Sequence, residues 1–144
     1  MMKKSMVAVL FSMIFALILG TTGAFAAESA MSADIEKALE QVAKTNDEIY
    51  KEIEKAQEKS SKMYDKKVSD IEKEKDAEKI LRIEMKYEEE ITELIAKLDK
   101  KTQKMTRKGI EKAKKAGLTV EVEWVSVQFA DRTAMIDPIK VMDW

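Results

Sequence analysis

The 144-residue chain has no cysteine, no histidine, one proline and four glycines. Each shortage excludes something. Without cysteine there is no disulfide, so stability has to come from packing alone. Without histidine the commonest general base and metal ligand are missing, and no Ser-His-Asp or Cys-His set can be assembled. Gly20 and Gly23 fall in the N-terminal segment. Only Gly109 and Gly117 remain beyond it, too few for a phosphate-cradling loop. These shortages point away from an enzyme, and no cofactor or metal is expected.

What is present begins with an export signal. Lys3 and Lys4 precede an apolar stretch from Met6 to Leu19, Gly20 ends it, and Ala24-Phe25-Ala26 supplies a small-x-small site. This is the layout of a secretory signal peptide. Residues 1–26 are read as that signal, with cleavage expected between Ala26 and Ala27. The alternative is a retained anchor. The apolar stretch falls short of the about 20 residues a spanning helix needs, although Met6 to Ala27 could reach that length. On either reading the protein is expected outside the cytoplasm, secreted or at the cell envelope. Removing Lys3 and Lys4 leaves 24 basic residues against 27 acidic ones, so no specific nucleic-acid partner is expected.

Residues 29–116 contain no proline, and their only glycine is Gly109. Ile35, Leu39, Val42, Ile49, Ile53, Ala56 and Met63 recur at helical spacing. A second stripe runs Ala77, Ile80, Tyr87, Ile91, Leu94, Leu98, Thr102 and Met105, with Glu84 at the one polar position of a near-strict 3,4 alternation. Between the stripes, Val68 and Ile71 are the only large apolar residues in 66–76. Ser69 with Glu72 could form a capping box for a new helix there. Charge falls in blocks: residues 28–58 and 84–93 are acidic, 59–67 and 97–115 basic. Folding back within 66–78 sets each block against its opposite. The expected architecture is therefore mainly α: an antiparallel, coiled-coil-like helical hairpin. One continuous helix is the alternative, but as a monomeric rod it would leave both stripes in water; an antiparallel dimer of straight helices would satisfy the same pattern.

Residues 118–144 read as a β-hairpin tail. Leu118, Val120, Val122 and Trp124 alternate with polar residues, then the phase flips to Val125, Val127 and Phe129. The flip suggests a β-bulge near Trp124-Val125, or a strand that changes neighbours. A turn is expected at Ala130-Asp131-Arg132 and an interruption at Asp137-Pro138. Trp124, Phe129, Ile136 and Trp144 are expected to supply bulk against the helix ends, near 35–42 and 105–116. The Trp124-Val125, Arg132 and Asp137-Pro138 pattern resembles the C-terminus of small secreted Firmicutes proteins, in which helices lead into a terminal hairpin. The resemblance covers about 30 residues and implies no activity; here Ala130-Asp131 stands where that pattern has Gly-Gly.

Candidate sites are few. Glu88-Glu89-Glu90 could meet a divalent cation, but three consecutive helical residues point in different directions, so a solvated face is favoured. Lys97 to Lys115, with Lys100, Lys104 and Lys108 four apart, could contact a polyanion weakly, or be neutralised by the acidic helix. Met63, Met85 and Met105 are read as packing. Glu121, Glu123, Asp131 and Asp137 are the carboxylates near the β-tail, with no sign of a cleft. Trp124 is read as core, while Trp144 is open between core and interface. The function expected is a non-catalytic protein-protein interaction or structural module, acting by self-association or on an unknown protein partner. A holdase-like envelope chaperone, or a binder of anionic wall polymer or membrane surface, stands as the alternative.

Overall fold

The computed structural model describes residues 32–144. The signal reading of residues 1–26 and its Ala26–Ala27 site therefore lie outside the described residues. Helix α1 runs Ala33–Lys73 and helix α2 runs Ala77–Lys115. Ser32 starts α1, its hydroxyl accepting the Ile35 amide at 3.3 Å. The chain then folds back over residues 74–76, a short link of the kind that joins antiparallel helices.

The new helix is capped by Asp76, whose carboxylate accepts the Glu78 amide at 2.9 Å. Glu74 accepts the amides of Lys75 and Asp76 within the link. Ser69 and Glu72 do not form the expected capping box, because both lie inside α1. The apolar-poor stretch stays helical with the help of the Lys66–Asp70 pair at 2.9 Å. At its other end α2 stops in a Schellman motif. Gly117 takes φ 97°, its amide reaches the Lys114 carbonyl at 3.1 Å, and the Leu118 amide reaches the Ala113 carbonyl at 3.0 Å. Leu118 and Ala113 are both buried, supplying the apolar contact that accompanies this motif.

The two helices pack against each other in antiparallel orientation. Among the described residues one ion pair crosses between them, Lys101 to Glu52 at 2.9 Å. The other helix–helix-surface pairs, including Glu78–Arg82 and Glu93–Lys97, lie within one helix. Charge blocks therefore suit the orientation without bolting it. Apolar burial does the holding: Ile49, Ile53 and Ile91 are fully buried, and truncating one such side chain to Ala costs about 2–5 kcal/mol.

Four strands follow: β1 Thr119–Val122, β2 Val125–Phe129, β3 Arg132–Ile136 and β4 Ile139–Asp143. They form two antiparallel pairs, β1 with β4 and β2 with β3. The pairs are two halves of one bent ribbon. Val122 faces Ile139 and Val125 faces Ile136, so both strands advance three residues across the gap with none inserted. The Glu123 amide donates to the Pro138 carbonyl at 2.8 Å and bridges the bend. The expected bulge at Trp124-Val125 is absent; the register shift lies between Thr119 and Val120.

Both strands instead change face at the bend. Leu118 and Val120 are buried on one phase, Val127 and Phe129 on the other; on the return strand Ile136 to Ile139 are all buried. The turn is Ala130-Asp131, and Ala130 adopts φ 52°. Positive φ at the first of two turn residues suits a primed hairpin turn, where Gly is favoured and Ala is strained.

The ribbon lies along both helices: on α2 it meets the expected 105–116 segment at Thr106 and Gly109 and runs on to Tyr87, while on α1 its hydrogen bonds fall beyond 35–42. Its base meets Asn46, and its turn reaches Gln57 and Tyr87. Gly109 allows the close approach: a Cβ there would stand 2.5 Å from Ile139 Cδ1 and 3.2 Å from Thr45 Cγ2. Phe129 and Ile136 fill the interior as expected, but Trp124 does not, being 55% exposed. The face change falls between Val122 and Glu123, earlier than the alternation suggested, and this turns Trp124 outward.

Candidate functional site

Three places bring chemically capable side chains together. The first is the seam under the ribbon. Asn46 of α1 is buried and grips Ile139 in both directions, its amide donating to the Ile139 carbonyl at 2.8 Å and its oxygen accepting the Ile139 amide at 2.8 Å. A side-chain amide here takes the place of a neighbouring strand. From α2, Thr106 donates to the Asp137 carbonyl, and Thr102 lies 3.1 Å from Asp137 Oδ1. Gln57 donates to the Gln128 carbonyl at 3.0 Å. These polar residues interrupt otherwise apolar stripes because buried ribbon backbone needs partners.

Asp137 is the unusual member of the seam. It is buried, and burial pushes its carboxyl above the usual aspartate range, with Asp99 adding to the rise; the Thr102 hydroxyl opposes it. That hydroxyl also lies 3.1 Å from the Asp99 carbonyl. One hydroxyl proton serves one acceptor well at a time.

The second place clamps the ribbon turn. Arg132 makes a forked pair with Glu88, at 3.0 and 2.6 Å, and a further contact to Asp131 at 3.2 Å. The Tyr87 hydroxyl donates to Asp131. Lys67 sits 4.4 Å from the Tyr87 ring centre and 5.1 Å from that of Tyr64, and the two rings meet edge-on at 6.0 Å. Burial and the Asp131 contact push the Tyr87 hydroxyl up. Burial raises Asp131 too, but hydrogen bonds from Tyr87 and Arg132 outweigh it and hold the carboxyl low. The Arg132 hydrogen bond holds Glu88 low as well. Glu88 thus has a structural partner that the acidic run alone does not reveal, since Arg132 is 44 positions away. Glu90 lies 3.8 Å from Lys86.

The third is exposed apolar surface, on the helix tip and on the ribbon. Leu81 and Met85, 55% and 63% exposed, lie one turn apart on α2, and Val68 is exposed on α1. They belong to a stretch, residues 61–86, in which no residue is buried. Trp124, Met135 and Met142 are exposed on the ribbon.

The remaining sequence candidates scatter. Lys100, Lys104 and Lys108 are exposed along one side of α2, and among the described residues no ion pair holds them. Trp144 is half-buried. Met63 and Met105 are half-buried, but Met85 is exposed, so packing accounts for two of the three. Glu121 pairs with Lys140 at 3.8 Å on the ribbon's outer side, Glu123 acts electrostatically on Tyr50, Asp131 sits in the clamp and Asp137 in the seam. Each of these four carboxylates has a different setting. Among the described residues no group of three or more acidic side chains is placed to hold a metal ion, and no helix is long and apolar enough to cross a membrane.

Comparison of the chain with family models, curated proteins and solved structures gave no match.

Proposed function

We propose that this chain is a non-catalytic, exported interaction module that works by presenting apolar surface to another protein or to its own copy. One observation carries the reading. The seam and the clamp are spent on holding the ribbon to the helices, whereas large apolar side chains stay exposed on the helix tip, where Leu81 and Met85 lie one turn apart, and on the ribbon, at Trp124, Met135 and Met142. Grouped exposed apolar residues mark interaction surfaces where single ones do not. The N-terminal signal layout supports action at the envelope or beyond it.

The test is direct. Purified protein is examined for self-association by sedimentation up to high concentration, and used to capture partners from envelope extracts. Concentration-dependent association, or a captured protein released by Leu81→Glu or Trp124→Lys, supports the module. A monomer that captures nothing removes it.

A second reading draws on the helix tip alone. Two antiparallel helical arms with Val68, Leu81 and Met85 exposed beyond the ribbon suit a holdase-like chaperone. Stoichiometric suppression of aggregation of an unfolded client, abolished by Leu81→Glu with Met85→Glu, supports that reading; unchanged aggregation rejects it.

A further inference from the structure

We infer that the outer face of α2 around Lys104 binds a linear, phosphate-bearing polyanion. This site is separate from the apolar surfaces of the interaction reading and does not rest on them.

The first observation is how charge is arranged on this stretch. Elsewhere the helices set opposite charges four residues apart and pair them, as in Asp47–Lys51, Lys66–Asp70 and Glu78–Arg82. Around Lys104 the arrangement is reversed. The residues three and four positions to either side of it are Lys100, Lys101, Arg107 and Lys108, all basic and all exposed. Every exposed side chain from Lys97 to Lys108 is basic except Gln103. Like charges at this spacing weaken a helix, so solubility alone is better served by the mixed pattern used elsewhere. Lys112, Lys114 and Lys115 suit the carbonyl end of the helix, but that end acts only over the last turn and does not account for Lys100 to Lys108.

The second observation is that the rest of the chain leaves this face charged. Acidic α1 supplies one partner, Glu52, which takes Lys101 at 2.9 Å. Glu93 takes Lys97 at 2.8 Å. Asp99 accepts from Gln103 at 2.9 Å. Glu111 is the one exposed acid between Lys97 and Lys115, and it forms no ion pair among the described residues. Lys100, Lys104, Arg107 and Lys108 likewise have no acidic partner among the described residues.

The third observation is shape. The ribbon meets α2 through Thr102 and Thr106. Lys100 and Lys104 each stand two residues before one of these, roughly 200° around the helix, so the ribbon leaves them open. Lys100, Lys104 and Lys108 follow one another at a rise of about 6 Å per step. A row one helix wide fits a linear polymer with a charge on each short repeat. A membrane-surface helix sinks its apolar face into lipid, whereas Leu98, Thr102 and Thr106 are already buried within the protein. No exposed aromatic ring lies between Lys97 and Lys108 for a base to stack on. Lysine heads act as point charges towards phosphate and need no fork.

The experiment titrates the full chain, purified as the cell processes it, into fluorescently labelled long-chain polyphosphate over a series of salt concentrations. Binding is expected, with log K falling against log salt at a slope of about −3, the value for four charges neutralised on a single flexible chain. Lys104→Glu is expected to weaken binding at least about tenfold and to flatten the slope by about 1. The same substitution is expected to raise the melting temperature, because the new carboxylate stands one turn from Lys100 and Lys108. Lys79→Glu makes the same change in net charge at the helix tip and is expected to leave binding as it was. A Lys104→Glu protein that is stabilised but binds as tightly as the wild type overturns the site and leaves a solvated face. Equal losses in Lys104→Glu and Lys79→Glu overturn it in favour of net charge alone. Binding to phosphatidylglycerol vesicles without binding to polyphosphate overturns the polymer and assigns the row to a membrane surface. Self-association and partner capture are read separately, so each of these outcomes leaves the interaction reading untouched.

Discussion

Asn46 does more for this fold than its side chain would suggest in a sequence. It sits in the buried stripe of α1 and satisfies both backbone groups of Ile139. Asn46→Ala leaves a buried donor and a buried acceptor unpaired, and is expected to cost about 2–4 kcal/mol in urea unfolding. Ala130 is the opposite case, a residue strained where it stands. At φ 52° a Cβ is unfavourable, so Ala130→Gly is expected to stabilise by about 0.5–1 kcal/mol, the relief of strain being partly offset by a freer unfolded chain. Asp137 makes stability depend on pH in an uncommon direction. Its folded carboxyl titrates above its reference value of 3.8 because it is buried. Its contribution is therefore full below the unfolded value and is lost as pH rises through the folded one. Glu88 and Asp131 are held low, so their contribution is lost as pH falls. Asp137→Asn is expected to raise the melting temperature at neutral pH, with the advantage shrinking towards pH 4 and below. An advantage that is flat with pH would mean that Asp137 titrates normally.

At the scale of elements, burial divides the helices sharply. The buried residues of α1 lie between Ala38 and Ser60, and those of α2 between Tyr87 and Ala113; residues 61–86 contain none. Amide hydrogen exchange is expected to show the tip opening locally, with protection well below that of the flanking segments, because local opening there exposes little apolar surface. Uniform protection along both helices would refute this. Helix type was legible because a 3.6-residue period is unambiguous over helices this long; antiparallel pairing was legible only in the charge blocks, which suit a partner helix from the same chain or from a second one equally. The helix boundary was less so: Ser69 with Glu72 read as a capping box, but the Lys66–Asp70 pair helps keep that stretch within α1 and the cap falls at Asp76. A period of two offers less protection against error. Alternation through Leu118, Val120 and Val122 extends naturally to Trp124, but a face change one step earlier puts Glu123 inward and Trp124 outward. The turn clamp left no local trace, since Tyr87 and Glu88 find Asp131 and Arg132 only after folding.

For the molecule as a whole, the question is whether the ribbon is an appendage or part of the core. Two antiparallel helices share one seam, and each still has a flank to cover. The ribbon covers it with Phe129, Ile136 and Ile139, all buried, over stripes that contain Ile49, Ile53 and Ile91. It also supplies the partners of Asn46, Thr102 and Thr106, which are buried and polar. Without the ribbon those three groups would interrupt an apolar surface now open to water, and the helices would keep only their mutual contact. A two-helix pair of this composition, rich in charge and lacking any disulfide, has little to offset its conformational entropy. Truncation after Gly117 is therefore expected to abolish the cooperative thermal transition, leaving a broad, shallow loss of ellipticity at 222 nm and a markedly smaller urea m-value. The helices should not simply survive at reduced stability, because their stripes are completed by the ribbon. A truncated chain that still melted sharply near the wild-type temperature would mean that the helical pair is self-sufficient. In that case the seam contacts of Asn46, Thr102 and Thr106 would attach the ribbon without supporting the helices beneath it.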